Sequence, residues 1–188
     1  FKIGIEHEKF LFNNKNNKRI DYSEIKKMFA ALLEFGWNPI LEEKNIIGLN
    51  KGGKNITLEP GNQIELSGEK LNNLHEACAE SQDYLFELKQ VTKKLNLSIV
   101  SAGFDPISQL SEIPNNPKKR YKLMTKDMPL DGELSLDMMY RTCGTQLNID
   151  YSSEKDFIKK FKIANSIVPI SIALFANSSI VEKKKSKY

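Results

Sequence analysis

Cysteine is nearly absent: Cys78 and Cys143 are the only two. That excludes a disulfide framework, and no Cys/His set has the spacing of a structural zinc site. Cys78 reads as a small buried residue rather than a nucleophile, since neither histidine stands near it in sequence. No apolar run is long enough to span a bilayer, and no secretory signal is present. A cytoplasmic protein without a membrane partner is therefore expected. The GxxxxGK[ST] spacing of a P-loop is missing, so Lys51-Gly52-Gly53-Lys54 is read as a turn. Excess charge of one sign is small, at +4. It gathers in Lys118-Lys119-Arg120 and in the tail Lys183-Lys184-Lys185-Ser186-Lys187, a run expected to be solvated. No basic stripe interleaves with aromatics, so nucleic acid is not an expected partner. There is also no internal repeat and no initiating Met. Phe1 already stands at the start of a strand, so the chain reads as a fragment of a longer protein.

What is present is enough hydrophobic content, 40% of 188 residues, for one domain spanning 1–188. Asp21-Tyr22-Ser23-Glu24 resembles a capping box and opens a helix through Ile25, Met28, Phe29, Leu32 and Leu33, closed at Gly36. Strands are expected at Asn38–Glu42 and Ile46–Asn50. A long helix should run from Leu71 to Leu95, with Leu74, Ala77, Cys78, Leu85, Leu88 and Val91 inward. A strand over Leu97–Phe104 and an irregular stretch from Asp105 to Asp131, rich in proline, follow. Next come a short helix at Leu134–Tyr140, a strand at Cys143–Tyr151 and a helix from Lys155 to Ile167. Pro169 should end that helix, with a separate one at Ile172–Phe175.

The acids carry the chemistry. Ile3-Gly4-Ile5-Glu6-His7-Glu8-Lys9-Phe10 reads as a strand, so Glu6 and Glu8 point to one face and His7 to the other. Two readings stand for such a pair: a solvated strand face, or ligands of a divalent cation that offsets their repulsion. Side-chain parity extends the pattern. Asn55–Glu59 and Gln63–Leu66 form a hairpin around Pro60-Gly61-Asn62. A three-residue loop puts Thr57, Glu59, Gln63 and Glu65 on one face and Ile56, Leu58, Ile64 and Leu66 on the other. A two-residue loop would scramble them. Gln146, Asn148 and Asp150 give a third polar front. The three fronts meeting on one concave surface, with helices behind, predict an α+β fold with an antiparallel sheet. Hard oxygen ligands suit Mg²⁺, which neutralises nucleotide phosphates. Arg120 and Arg141 suit bidentate pairing with a substrate carboxylate. Arg120 also reads as simply solvated, and Arg141 as a helix C-terminal cation.

Five blocks carry a resemblance: Ile5-Glu6-His7-Glu8-Lys9-Phe10; Leu58-Glu59-Pro60-Gly61-Asn62-Gln63-Ile64-Glu65-Leu66-Ser67-Gly68; Leu74-His75-Glu76-Ala77-Cys78-Ala79-Glu80; Leu136-Asp137-Met138-Met139-Tyr140-Arg141-Thr142-Cys143; and Pro169-Ile170-Ser171-Ile172-Ala173-Leu174-Phe175-Ala176-Asn177-Ser178. Together they resemble the plant and proteobacterial glutamate–cysteine ligases. The resemblance implies a catalytic sheet like those of glutamine synthetase and the guanidino kinases. It implies ATP-dependent ligation of L-glutamate to L-cysteine through γ-glutamyl phosphate, the first step of glutathione synthesis. It implies Glu6, Glu8, Glu59 and Glu65 as Mg²⁺ ligands, assisted by Gln63 and Gln146. It implies Arg120, Arg141 and Thr142 at the glutamate substrate, and Gln146 and Asn148 toward nucleotide or metal. Family members continue into segments that add arginines and nucleotide contacts, so these 188 residues alone are expected to fall short of a competent ligase. Another carboxylate–amine ligase and a non-catalytic binding module of the same fold are the alternatives.

Overall fold

The computed structural model describes residues 1–186. Lys187 and Tyr188, the end of the basic tail, lie outside the described residues. The architecture is α+β, as expected, around an eight-stranded antiparallel sheet.

Strand β1 (Ile3–Asn13) organises the sheet. Its first half lies between β6 (Ile64–Ser67) and β8 (Thr145–Ile149). Its second half pairs with β2 (Lys18–Arg19) and β7 (Leu97–Val100). From β6 the sheet continues through β5 (Lys54–Leu58), β4 (Asn45–Lys51) and β3 (Asn38–Glu42).

Helices α1 (Tyr22–Leu32) and α2 (Leu74–Leu95) cover one face only. Ile25, Met28 and Phe29 of α1 and Tyr84, Leu88 and Val91 of α2 pack on Leu49, Ile56, Leu58, Ile64 and Leu66 of the sheet. These side chains are almost wholly removed from water, each contributing about 1.5–3 kcal/mol of burial. The capping box at α1 is present, with Asp21 accepting from the Glu24 N–H and the Glu24 carboxylate from the Asp21 N–H. The inward stripe of α2 keeps Ala77, Leu88 and Val91 as expected and adds Glu80, Tyr84 and Thr92. Leu74 and Cys78 face solvent, because they fall outside the repeat set by Tyr84 and Leu88.

The proline-rich stretch is more ordered than expected. Between Pro117 and Pro129 the chain forms α3 (Lys119–Asp127). Helix α4 (Ser135–Arg141) follows, and the two share a small core of Ile113, Tyr121, Met139 and Tyr140. Strand β7 stops at Val100, short of Phe104, and β8 is trimmed at both ends.

Pro169 does not end a helix. Helix α5 (Glu154–Phe175) runs through it. One missing N–H in a ladder of 22 residues bends or weakens a helix without having to end it. None of its residues is buried, and Phe161, Ile170, Ile172 and Phe175 stand open to solvent. The basic tail turns back as well: β9 (Ile180–Val181) pairs with β10 (Lys184–Lys185).

Candidate active site

Because α1 and α2 occupy one face, the other is left for the acids. Register places Glu8 of β1 opposite Glu65 of β6, and Glu65 opposite Thr57 of β5. Glu6 lies between Ser67 and Gln146. The hairpin has the three-residue loop that parity requires: the Glu59 N–H donates to the Gln63 carbonyl at 2.8 Å, and the Asn62 N–H to the Glu59 carbonyl at 3.0 Å. Asn62 closes the loop at a φ of 61°, a left-handed conformation that asparagine tolerates. Gly61 is tied to its position by crowding, since a Cβ there would lie 2.8 Å from Ile113 Cγ2 and 2.9 Å from the Tyr140 carbonyl.

The acids are held by neutral donors. The Thr57 hydroxyl lies 3.1 Å from Glu65 and 3.2 Å from Glu59, and the Ser67 hydroxyl donates to Glu65 at 2.7 Å. Tyr121 Oη donates to Glu59 Oε2 at 2.8 Å. The amides of Gln146 and Asn148 donate to Glu6 Oε1 at 3.0 and 2.9 Å. The Gly144 N–H donates to Glu8. Among the described residues none of the four glutamates makes an ion pair. Burial pushes the Glu8 carboxyl above the usual range; the Gly144 N–H opposes it, while Glu65, Glu59 and Glu6 add to it. Burial raises Glu65 too, with Glu59 and Glu6 adding against the Ser67 and Thr57 hydroxyls.

The same face tests the metal expectation. Among the described residues no three acids, imidazoles or thiols converge closely enough to enclose an ion alone. A caged, all-protein site is therefore not what these residues build. The donor set instead fits a hard cation that keeps waters and takes one or two carboxylates.

The other expected site residues divide. Gln63 turns away from the acids: its amide nitrogen is buried on the carbonyls of Tyr140 and Thr142, at 3.1 and 3.2 Å. It clamps the hairpin to the segment before β8, so its amide nitrogen is committed to structure. Arg141 is buried, ion-paired with Asp137 at 2.8 Å and Glu182 at 3.2 Å, and stacked over Phe104. The Thr142 hydroxyl donates to the Met138 carbonyl at 2.6 Å and caps α4. Both are engaged within the fold. Arg120 is exposed, has no ion pair among the described residues, and lies over the Tyr121 ring with 4.9 Å from its guanidinium carbon to the centroid. His7 faces away from the glutamates, as expected, and meets the Ser81 hydroxyl at 3.2 Å.

Sequence comparison decides the family. The profile of glutamate–cysteine ligase family 2 matches residues 2–188. The chain belongs to glutamate–cysteine ligase family 2. It is 45% identical over 189 aligned residues to glutamate–cysteine ligase A, chloroplastic, of Oryza sativa subsp. japonica, covering 100% of this chain and 38% of that protein. It is 43% identical to the chloroplastic enzyme of Nicotiana tabacum and 42% to that of Arabidopsis thaliana, covering 36% of each. The chain thus spans well under half the length of the relatives it matches. These relatives carry chloroplastic in their names, which overturns the cytoplasmic expectation. That expectation rested on a missing secretory signal and a missing apolar span, and neither separates cytoplasm from plastid.

Within this family 2 chain, residues not singled out from sequence hold the hairpin. The Arg19 guanidinium reaches the Asp105 carboxylate at 3.0 Å and the carbonyls of Gly61 and Tyr140. Asn116 donates to the carbonyls of Glu59 and Pro60 at 2.8 and 2.9 Å. Lys118 donates to the Leu58 carbonyl at 2.7 Å, and burial lowers its pKa. Arginine itself was the available signal: the chain has three against twenty-five lysines. Two of the three, Arg19 and Arg141, are buried with carboxylates.

Proposed function

We propose that the protein to which these residues belong ligates L-glutamate, through its γ-carboxyl, to L-cysteine at the expense of ATP, by way of γ-glutamyl phosphate. The observation that carries this reading is the face shared by Glu6, Glu8, Glu59 and Glu65, four carboxylates with neutral donors and no ion-pair partner among the described residues. Such a face is incomplete without added positive charge. Glu6, Glu8, Glu59 and Glu65 would hold Mg²⁺, which screens the nucleotide phosphates when bound.

The remaining roles fall to this chain's own groups. Arg120, exposed over the ring of Tyr121, whose hydroxyl donates to Glu59, would receive the substrate carboxylate in its planar fork. Arg141 and Thr142 would border that pocket through the segment that Gln63 fixes. Gln146 and Asn148 would meet nucleotide from the β8 side while steadying Glu6. Holding two substrates and a phosphate donor in one geometry supplies most of the rate. In this reading the 188 residues form one part of a single catalytic domain, and the sheet is of the glutamine synthetase and guanidino kinase kind.

The test uses the full-length protein. Phosphate release from Mg·ATP is expected to require both glutamate and cysteine, and Glu59→Gln should reduce it at least a hundredfold while the circular dichroism spectrum persists. Turnover with another amine and none with cysteine would overturn the acceptor. Full activity in Glu59→Gln would overturn the metal face.

A further inference from the structure

One buried side chain touches both halves of the proposed site. Tyr121, on the first turn of α3, is 3% exposed. Its hydroxyl lies 2.8 Å from Glu59 Oε2 and 3.2 Å from the Leu58 carbonyl. A phenol has one proton and must choose between them. The Leu58 carbonyl already accepts from the Lys118 ammonium at 2.7 Å, and that ammonium is 3.4 Å from the phenol oxygen. The proton therefore goes to Glu59.

The face of the same ring carries Arg120, with 4.9 Å from guanidinium carbon to centroid. Consecutive helical residues ordinarily point apart. Here the arginine doubles back over its neighbour, and the ring's negative face gives it a seat. Lys118 lies 4.9 Å from the same centroid, so two cations share the ring. Only Arg120 is free of a carbonyl or carboxylate partner among the described residues.

We infer that Tyr121 is a positioning residue that sets the distance between Glu59, on the metal side, and Arg120, on the carboxylate side. The hydroxyl fixes one partner and the ring face fixes the other, so the two effects separate by chemistry. The inference rests on the function proposed above.

The experiment measures two affinities in the full-length protein: Mn²⁺ by electron paramagnetic resonance, and L-glutamate by calorimetry in the presence of Mg²⁺ and a non-hydrolysable ATP analogue. Tyr121→Phe keeps the ring and removes the proton. It should weaken Mn²⁺ about tenfold, the value of one hydrogen bond to a charged group, and leave glutamate affinity unchanged. Arg120→Lys keeps charge and loses the planar stack. It should weaken glutamate by about three- to tenfold and leave Mn²⁺ unchanged. Unchanged Mn²⁺ affinity in Tyr121→Phe would overturn the inference. So would equal losses of both affinities in either variant, since a merely structural tyrosine moves both together. Glu59→Gln separates the two levels: if it leaves Mn²⁺ binding intact, the metal face itself fails. If it weakens Mn²⁺ and Tyr121→Phe does not, the inference alone fails.

Discussion

Removing Asp105 should cost more than removing Arg19, although the two form one pair. Both side chains are fully shielded from water, 3.0 Å apart. Asp105 has other help: the N–H groups of Ile107 and Ser108 donate to it at 2.8 and 2.9 Å. Arg19 has only carbonyls and the rings of Phe10 and Phe12, at 4.6 and 5.9 Å, and burial already lowers its pKa. Asp105→Ala therefore strands a buried cation, at a cost of about 3–5 kcal/mol. Arg19→Met leaves a carboxylate with two donors and fills most of the stem volume, at a cost of about 2–3 kcal/mol. The double variant should lose less than Asp105→Ala alone, because no uncompensated charge remains. Urea denaturation followed by circular dichroism reads all three. In thermal melts, about 4 kcal/mol corresponds to a midpoint roughly 8–16 °C lower for a chain of this size. Strict additivity in the double variant, or a loss below about 1 kcal/mol for Asp105→Ala, would refute the reasoning.

Glu65→Gln should raise the thermal midpoint while damaging the proposed metal face. Glu8 and Glu65 have folded pKa values above their ordinary 4.5, so the folded state holds more protons, and stability falls as pH rises through that window. The gain should be present at pH 7 and vanish below pH 4.5; a lower midpoint at pH 7 would contradict it. Gly61→Ala should destabilise by about 1–3 kcal/mol, because the Tyr140 carbonyl is backbone and yields little. The same denaturation curve checks it, and an unchanged midpoint would mean the turn is looser than described.

Period two made the hairpin readable, since one register alone separates Thr57, Glu59 and Glu65 from Ile56, Leu58 and Ile64. Parity gives a face, however, and not what a long side chain does at the end of it. Gln63 shares the nominal face of Glu65, yet its amide reaches carbonyls about eighty residues away. Proline rules treat each ring as a full stop, which hid α3 between two prolines and cut α5 at Pro169. Arg19 stands in a Lys- and Asn-rich turn and looks solvated. Its partner Asp105 is 86 positions on, and no local pattern encodes that distance.

Strand β1 has a consequence for time. It is made before the strands that flank it, and on one side it pairs with β8, with Glu6 and Gln146 separated by 140 positions. At ordinary synthesis rates that is a delay on the order of ten seconds. The β6 side can close much sooner, since Glu65 follows Glu8 by 57 positions. During the interval the other edge of β1 offers unpaired N–H and C=O groups to any passing strand. The acid face thus matures in two stages, and only the second closes the free edge of β1.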